Sequence, residues 1–127
     1  MNFLLDESVT GDAYSALVLT GIVTRRSIDI IGSQRTDREV VELGDTMKSV
    51  VVDANPRHFR RLISRRPENN NLIFRFASRL SLKCEWSLEA RRLHEVLHLV
   101  EYEWRRRQTL PDKRLIMEVA NESVTLF

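Results

Sequence analysis

The sequence predicts a single α/β domain in three layers, with a mainly parallel central sheet between two layers of helices. Short apolar runs recur along the chain, stretches with helical spacing separate them, and two of the runs end in an acid. Strands that alternate with helices pair in parallel and are covered on both faces. A chain of 127 residues has the usual size of one domain with one core.

The first half of the chain contains three predicted strands and two predicted helices. The strands are residues 3–5, 27–31 and 49–52, and the helices are residues 9–19 and 40–47. Gly21 is a stop signal after the first helix. Thr36 precedes the second helix with Glu39 three residues later, which is the pattern of a capping box. These elements alternate as a parallel sheet requires.

The second half begins with a helix whose first turn contains Pro56, a favoured place for proline. We expect a further strand at residues 72–76 and the longest helix at residues 86–107. The chain ends in two predicted strands, residues 114–119 and 123–127, whose short connection is compatible with an antiparallel hairpin. Such a hairpin would add antiparallel strands to the sheet.

Composition excludes several classes of protein. With 43% hydrophobic and 30% charged residues, the chain is typical of globular proteins. No apolar run reaches the roughly 18 residues of a membrane span, and the N-terminus lacks the basic segment of a secretory signal. Cys84 is the only cysteine, which excludes an internal disulfide and a cysteine-cluster zinc site. We therefore expect a cytoplasmic protein without a membrane segment.

Three acids are predicted to meet at one edge of the sheet. Asp6 and Asp53 follow apolar strands, and Asp37 opens a helix. Ligands of open α/β sheets bind at the carboxyl ends of the strands. Clustered carboxylates repel one another unless a cation neutralises them, and oxygen ligands favour Mg²⁺ or Mn²⁺. Either the three acids bind a metal that supports phosphodiester hydrolysis, or they are a helix cap and ordinary strand-end acids.

Three segments, residues 3–7, 36–40 and 50–59, resemble the PIN-like family, which is common among the toxins of bacterial toxin–antitoxin systems. The resemblance covers roughly residues 1 to 63. It implies a metal-dependent ribonuclease that uses Mg²⁺ or Mn²⁺, has RNA as its substrate and binds an antitoxin protein. The catalytic and metal-binding residues that it implies are Asp6 and Asp37, and Asp53 is the third candidate for both roles because it ends an apolar strand at the same edge.

The third segment departs from the family pattern at two positions. Asp53 stands where threonine is usual, and His58 stands where an aspartate usually precedes phenylalanine. Histidine binds Mn²⁺ or Zn²⁺ better than Mg²⁺, so His58 either changes the metal preference or weakens the site. A PIN-like binding module that has lost catalysis is therefore the alternative. Further candidate site residues are Glu7, Asn55 and His58, followed in rank by Glu39 and Glu42.

A competing motif lies in the long helix. His94, Glu95 and His98 form an H-E-x-x-H pattern, in which two histidines bind zinc and the glutamate acts as general base. Glu118 and Glu122 are the available third ligands, so a zinc hydrolase is the second alternative. The two histidines also flank an apolar stripe of the helix, which favours an ordinary amphipathic helix without a metal.

Arginines make up 17 of the 20 basic residues, and their planar guanidinium groups suit phosphate. Arg57, Arg60 and Arg61 are the predicted RNA-binding residues. They could equally bind the antitoxin or lie on a solvated helix face. Trp86 and Trp104 are predicted to be core residues or part of a homodimer interface rather than platforms for RNA bases.

Overall fold

The computed structural model describes residues 1–65 and 74–127. Within these ranges the chain forms a six-stranded sheet in the order β2-β1-β3-β4-β5-β6. The strands are β1 (Phe3–Leu5), β2 (Thr24–Arg26), β3 (Val50–Asp53), β4 (Ser78–Leu82), β5 (Ile116–Val119) and β6 (Val124–Leu126). Every neighbouring pair is parallel except β5 and β6, which are antiparallel. The mainly parallel sheet and the final hairpin are thus confirmed.

Five α-helices accompany the sheet in the described residues. They are α1 (Gly11–Val18), α2 (Ser27–Ile31), α3 (Asp37–Met47), α4 (Pro56–Phe59) and α5 (Glu89–Arg107). A single 3-10 turn, Trp86–Leu88, leads into α5. None of the helices in residues 1–65 and 74–127 is both long and apolar enough to cross a membrane.

Helices cover both faces of the sheet. On the first face, Leu17 of α1 and Leu93 of α5 pack against strand residues such as Phe3. On the second face, Val41 of α3 and Phe59 of α4 pack against the opposite side of the same strands. Because β1 and β3 are buried on both faces, they consist of continuous apolar runs rather than alternating ones. Two hydrophobic cores therefore enclose the sheet.

The order of the strands creates a switch point between β1 and β3. From β1 the chain moves first to β2 on one side and then to β3 on the other side. Crevices for ligands in open α/β sheets lie at such a point, beyond the carboxyl ends of the strands. Asp6 follows β1 and Asp53 is the last residue of β3, so two of the predicted acids flank this point.

The start of α3 is fixed by its capping box. The Thr36 hydroxyl accepts a hydrogen bond from the Glu39 backbone N–H at 3.1 Å, and the Glu39 carboxylate accepts one from the Thr36 N–H at 3.3 Å. These bonds satisfy two backbone donors that a helix start would otherwise leave free. The predicted cap is confirmed, and it places Asp37 at the first position of α3.

The strand predicted at residues 27–31 is wrong, because these residues form helix α2. The strand lies just before it, at Thr24–Arg26. The Arg26 guanidinium donates to the Asp29 carboxylate at 2.9 Å, a pair three residues apart that suits a helical turn. Gly32, with a φ of 86°, ends the helix. A five-residue segment with three isoleucines is too short for its periodicity to distinguish strand from helix.

The strand predicted at residues 72–76 is misplaced. Residues 72 and 73 lie outside the described residues, and residues 74–76 are not in a strand. The strand at this place in the sheet is β4, Ser78–Leu82, all of which is buried. The polar residues of β4 made it difficult to predict, because a central parallel strand is normally apolar.

The two tryptophans differ in their surroundings. Trp86 is 77% exposed, so the prediction of a core residue is wrong at this position. Trp104 is partly buried and packs against the core on the first face of the sheet. The structure contains a single chain, so a homodimer interface stays a prediction.

Candidate functional site

Asp6 and Asp53 lie side by side at the carboxyl edge of the sheet. Leu5 pairs with Val52 in the β1–β3 register, and the Asp6 backbone N–H donates to the Val52 carbonyl at 2.8 Å. The next residues of the two strands, Asp6 and Asp53, are therefore neighbours across the switch point. The negative charge of Asp6 is one of the influences that raise the pKa of Asp53.

Asp53 is completely buried. Its carboxylate accepts hydrogen bonds from the Ser81 hydroxyl at 2.6 Å and from the Asn55 backbone N–H at 2.9 Å. Burial raises the pKa of Asp53 from its ordinary value of 3.8 to about 7, although both donors favour the ionised form. Near neutral pH, Asp53 therefore exchanges between a neutral acid and a carboxylate.

Ser8 connects the loops that follow β1 and β3. Its hydroxyl donates to the Asp6 carboxylate at 2.5 Å and accepts a hydrogen bond from the Ala54 backbone N–H at 3.1 Å. The Ser8 backbone N–H also donates to Asp6, at 3.1 Å. Asp6 is thus held in place by the turn that it begins, and that turn is attached to the end of β3.

His58 joins Asp37 to the loop after β3. Its Nδ1 lies 3.1 Å from the Asp37 Oδ2 and 3.0 Å from the Asn55 Nδ2. When Nδ1 carries a proton it donates to the Asp37 carboxylate, and when it does not it accepts from the Asn55 amide. The side chains of His58 and Asp37 are 47% and 34% exposed. The third predicted acid is thus accessible, but it is paired with a histidine.

Behind Asp53, a row of polar side chains crosses the second face of the sheet. The β3–β4–β5 register places Asp53 next to Ser81 and Ser81 next to Glu118. Two residues before Ser81 in β4, the buried Arg79 donates from Nη1 to the Ser81 hydroxyl at 2.9 Å and to Glu118 at 2.8 Å. Each member of the row therefore has a charged or polar partner, as burial requires.

Glu118 ends this row on β5 and binds its arginines. Arg60 donates to it from Nε at 2.6 Å and from Nη2 at 2.5 Å, a two-pronged pair between the end of α4 and β5. The ammonium group of Lys83 lies 3.7 Å from the same carboxylate. The bonds from Arg60 and Arg79 lower the pKa of Glu118 from its ordinary value of 4.5 to about 2. Glu118 is therefore a fixed anion that neutralises arginines.

Ser81 and Arg79 are site residues that our sequence reasoning missed, and Glu118 was named only as a possible zinc ligand, not as the partner of two arginines. The alternation of serine and arginine with leucine in Ser78–Leu82 has the period of a strand, and it was the available signal. An arginine in such a strand suggests a buried acid elsewhere. Nothing local indicates that the acid is Glu118.

The lower-ranked acid candidates have other partners. The exposed Glu7 accepts a hydrogen bond from the Gln34 backbone N–H at 3.0 Å, which ties the loop before α3 to the turn after β1. Glu39 closes the capping box, and Glu42 pairs with Arg38 at 3.2 Å on the exposed side of α3. Of these three, Glu7 is the one that lies near Asp6.

The three predicted RNA-binding arginines have different positions. Arg57 is exposed at the start of α4. Arg61 lines an open depression together with Asp37 and His58. Arg60 is bound to Glu118, with a side chain that is still 46% exposed. Arg61 therefore lies near Asp37, whereas Arg60 belongs to the buried row that begins at Asp53.

The H-E-x-x-H histidines lie on an exposed stretch of α5. In β5, Met117 and Val119 pack towards α5 on the first face of the sheet, so Glu118 points to the second face. Because Glu118 also binds Arg60 and Arg79, it is not available as a third zinc ligand for this helix. Glu122 is exposed in the turn between β5 and β6.

The donor chemistry at the sheet edge suits a hard divalent ion, since Asp6, Asp37 and Asp53 offer oxygen ligands. In residues 1–65 and 74–127, however, no three or more His, Cys, Asp or Glu side chains are grouped closely enough to hold a metal. Asp37 shares its Oδ2 with His58, and the pKa of Asp53 is raised to about 7, so both offer less free negative charge than an open metal site would. The side chains are thus of the right chemical type for a divalent ion, but they would have to move closer together to bind one.

Comparisons of the chain with protein-family models, with curated proteins and with solved structures gave no match.

Proposed function

We propose that this protein is a PIN-like, divalent-metal-dependent endoribonuclease and the toxin of a toxin–antitoxin pair. The observation that carries the proposal is the position of Asp6 and Asp53 on either side of the switch point. Asp37 is linked to the same edge through His58 and Asn55. An acidic crevice at this point suits a cation and the phosphate that it would attract.

Asp6 and Asp37, with Asp53, would hold Mg²⁺ or Mn²⁺. Such an ion, when bound, supplies a Lewis acid that stabilises negative charge on a phosphodiester. Ser8 orients the Asp6 carboxylate. His58 binds Asp37 when its Nδ1 carries a proton, and it accepts from the Asn55 amide instead when Nδ1 does not. Arg61 lies beside this edge with a positive charge for a neighbouring phosphate.

The test is cleavage of single-stranded RNA by the purified protein in Mg²⁺, in Mn²⁺ and in EDTA. We expect cleavage with either ion, loss of cleavage in EDTA, and loss of cleavage in Asp6→Asn. Asp12→Asn is the matched control, because it removes an exposed acid in the first turn of α1. Equal cleavage by wild type and Asp6→Asn would contradict the proposal.

A second candidate is a binding module without catalysis, which recognises an antitoxin or another partner through the same edge. It is favoured by the pairing of Asp37 with His58 and by the raised pKa of Asp53, both of which reduce the negative charge free to attract a metal. Wild type that is inert with both ions, together with an active His58→Asp variant, would favour this candidate. A small antitoxin-like reading frame beside the gene would be consistent with both candidates. Both candidates would act in the cytoplasm.

A further inference from the structure

A second pocket lies on the α4 side of the sheet, beyond Glu118. It has a volume of about 410 Å³, which falls within the range of small-ligand sites. Its lining residues are Arg60, Ser64, Arg65, Arg79, Ile116 and Phe127. Three of these six residues are arginines, and two are large apolar residues.

The guanidinium groups of Arg60 and Arg79 are held in fixed positions. Arg60 uses Nε and Nη2 to bind Glu118, and Nη1 takes no part in that pair. Arg79 donates from Nε to the Ile63 carbonyl at 3.1 Å and from Nη1 to Ser81 and Glu118, and its Nη2 takes no part in these bonds. Each arginine therefore keeps a terminal nitrogen outside the row.

The charged side chains that line the pocket are all positive. Arg60 and Arg79 share a single carboxylate, Glu118. Arg65 Nη1 lies 3.0 Å from the Asp112 carboxylate, which also binds Arg114 at 2.9 Å. The contact with Asp112 lacks the alignment of a hydrogen bond, and neither terminal nitrogen of Arg65 has a hydrogen-bond partner. An anion is the ligand that this positive lining favours.

Phe127 gives the pocket an aromatic surface next to Arg79. The Arg79 guanidinium carbon lies 5.5 Å from the centre of the Phe127 ring, so the ring is held by a cation–π contact. Phe127 is 47% exposed, which leaves ring surface for a ligand, and Ile116 adds an apolar surface. A flat group can stack here next to a bound anion.

We propose that this pocket binds one nucleotide of an RNA strand, with its phosphate on Arg60 and Arg79 and its base against Phe127. The choice of RNA rests on the proposed function. Asp53, Ser81 and Glu118 are neighbours on successive strands, so the pocket begins about 10 Å from Asp53 at the usual strand spacing. A strand held in the pocket would extend along the sheet edge towards the acids.

The test is equilibrium binding in EDTA, which excludes cleavage, with AMP, UMP, adenosine and inorganic phosphate as probes. Wild type should bind both nucleotides more tightly than either adenosine or phosphate. Phe127→Leu should weaken nucleotide binding about tenfold while leaving phosphate binding unchanged, and Phe127→Tyr should retain it. Arg60→Gln should weaken the binding of nucleotides and of phosphate to the same extent. Arg91→Gln, which removes an exposed arginine on α5, is the matched control.

The proposal is overturned if nucleotides bind no better than phosphate, or if Phe127→Leu binds them as wild type does. Because these measurements need neither metal nor cleavage, they are independent of the proposed nuclease. RNA cleavage by a protein that binds no nucleotide would contradict the proposed nucleotide pocket and support the proposed nuclease. Nucleotide binding by a protein that cleaves no RNA would support the proposed pocket and contradict the proposed nuclease activity.

Discussion

The Arg79 guanidinium and the Glu118 carboxylate form a buried ion pair at 2.8 Å, although 39 residues separate them along the chain. Their side chains are 2% and 4% exposed. A buried pair contributes less than its attraction suggests, because both charges lose water, but breaking it leaves one charge uncompensated. The pair therefore makes the fold sensitive to the loss of either partner.

The first prediction concerns Glu118→Gln. This variant leaves Arg79 buried without its counter-charge, so the free energy of unfolding should fall by about 3 kcal/mol. Urea unfolding measures it, with Glu122→Gln as the exposed control. The pKa of Glu118 is lowered on folding, so its stabilisation is complete above pH 4.5 and is lost as pH falls towards 2. A variant as stable as the control would show that the pair contributes little.

The second prediction concerns Asp53→Asn. Because burial raises the pKa of Asp53 to about 7, the folded protein holds a proton that the unfolded chain has lost between about pH 4 and 7. Stability should therefore fall across this window as pH rises, by up to about 4 kcal/mol at about 1.4 kcal/mol per pKa unit. Asp53→Asn should lack this decline. The measurement is the free energy of unfolding of both proteins from pH 4 to 8. The same pH dependence in wild type and variant would contradict the prediction.

The third prediction concerns the metal preference of the proposed nuclease. His58 pairs with Asp37, and an imidazole beside oxygen ligands favours Mn²⁺ over Mg²⁺. Wild type should therefore cleave RNA with Mn²⁺ at least as well as with Mg²⁺, and His58→Asp should be more active and shift towards Mg²⁺. The ratio of the two cleavage rates measures this effect. His94→Asp, at an exposed position on α5, should leave the ratio unchanged, and an unchanged ratio in His58→Asp would argue against any role of His58.

The fourth prediction tests the packing of α3 on β3. A Cβ added at Gly44 would collide with the Cγ2 of Val51. Gly44→Ala should therefore destabilise the protein by about 1–3 kcal/mol, although alanine is the better helix former. Thermal unfolding measures the loss, and Val51→Ala in the Gly44→Ala background should recover part of it. Gly11→Ala, where a Cβ meets nothing within 4 Å, should not be destabilising.

Several elements followed from the sequence alone because their signals are local. The apolar runs of β1 and β3, the capping box of Thr36 and Glu39, the long amphipathic helix α5 and the final hairpin are specified by neighbouring residues. The acids at the carboxyl edge follow equally from local order, since each one ends a strand or opens a helix. The general architecture and the place of the candidate site were predictable for this reason.

The tertiary structure decided what depends on distant partners. Ser78–Leu82 is a central strand because Arg79 and Ser81 find Glu118 and Asp53 across the sheet, and no local pattern specifies these partners. The pairing of Asp37 with His58 and the raised pKa of Asp53 arise in the same way. A buried polar group is stable only beside a partner, and the folded chain alone determines which residue that partner is.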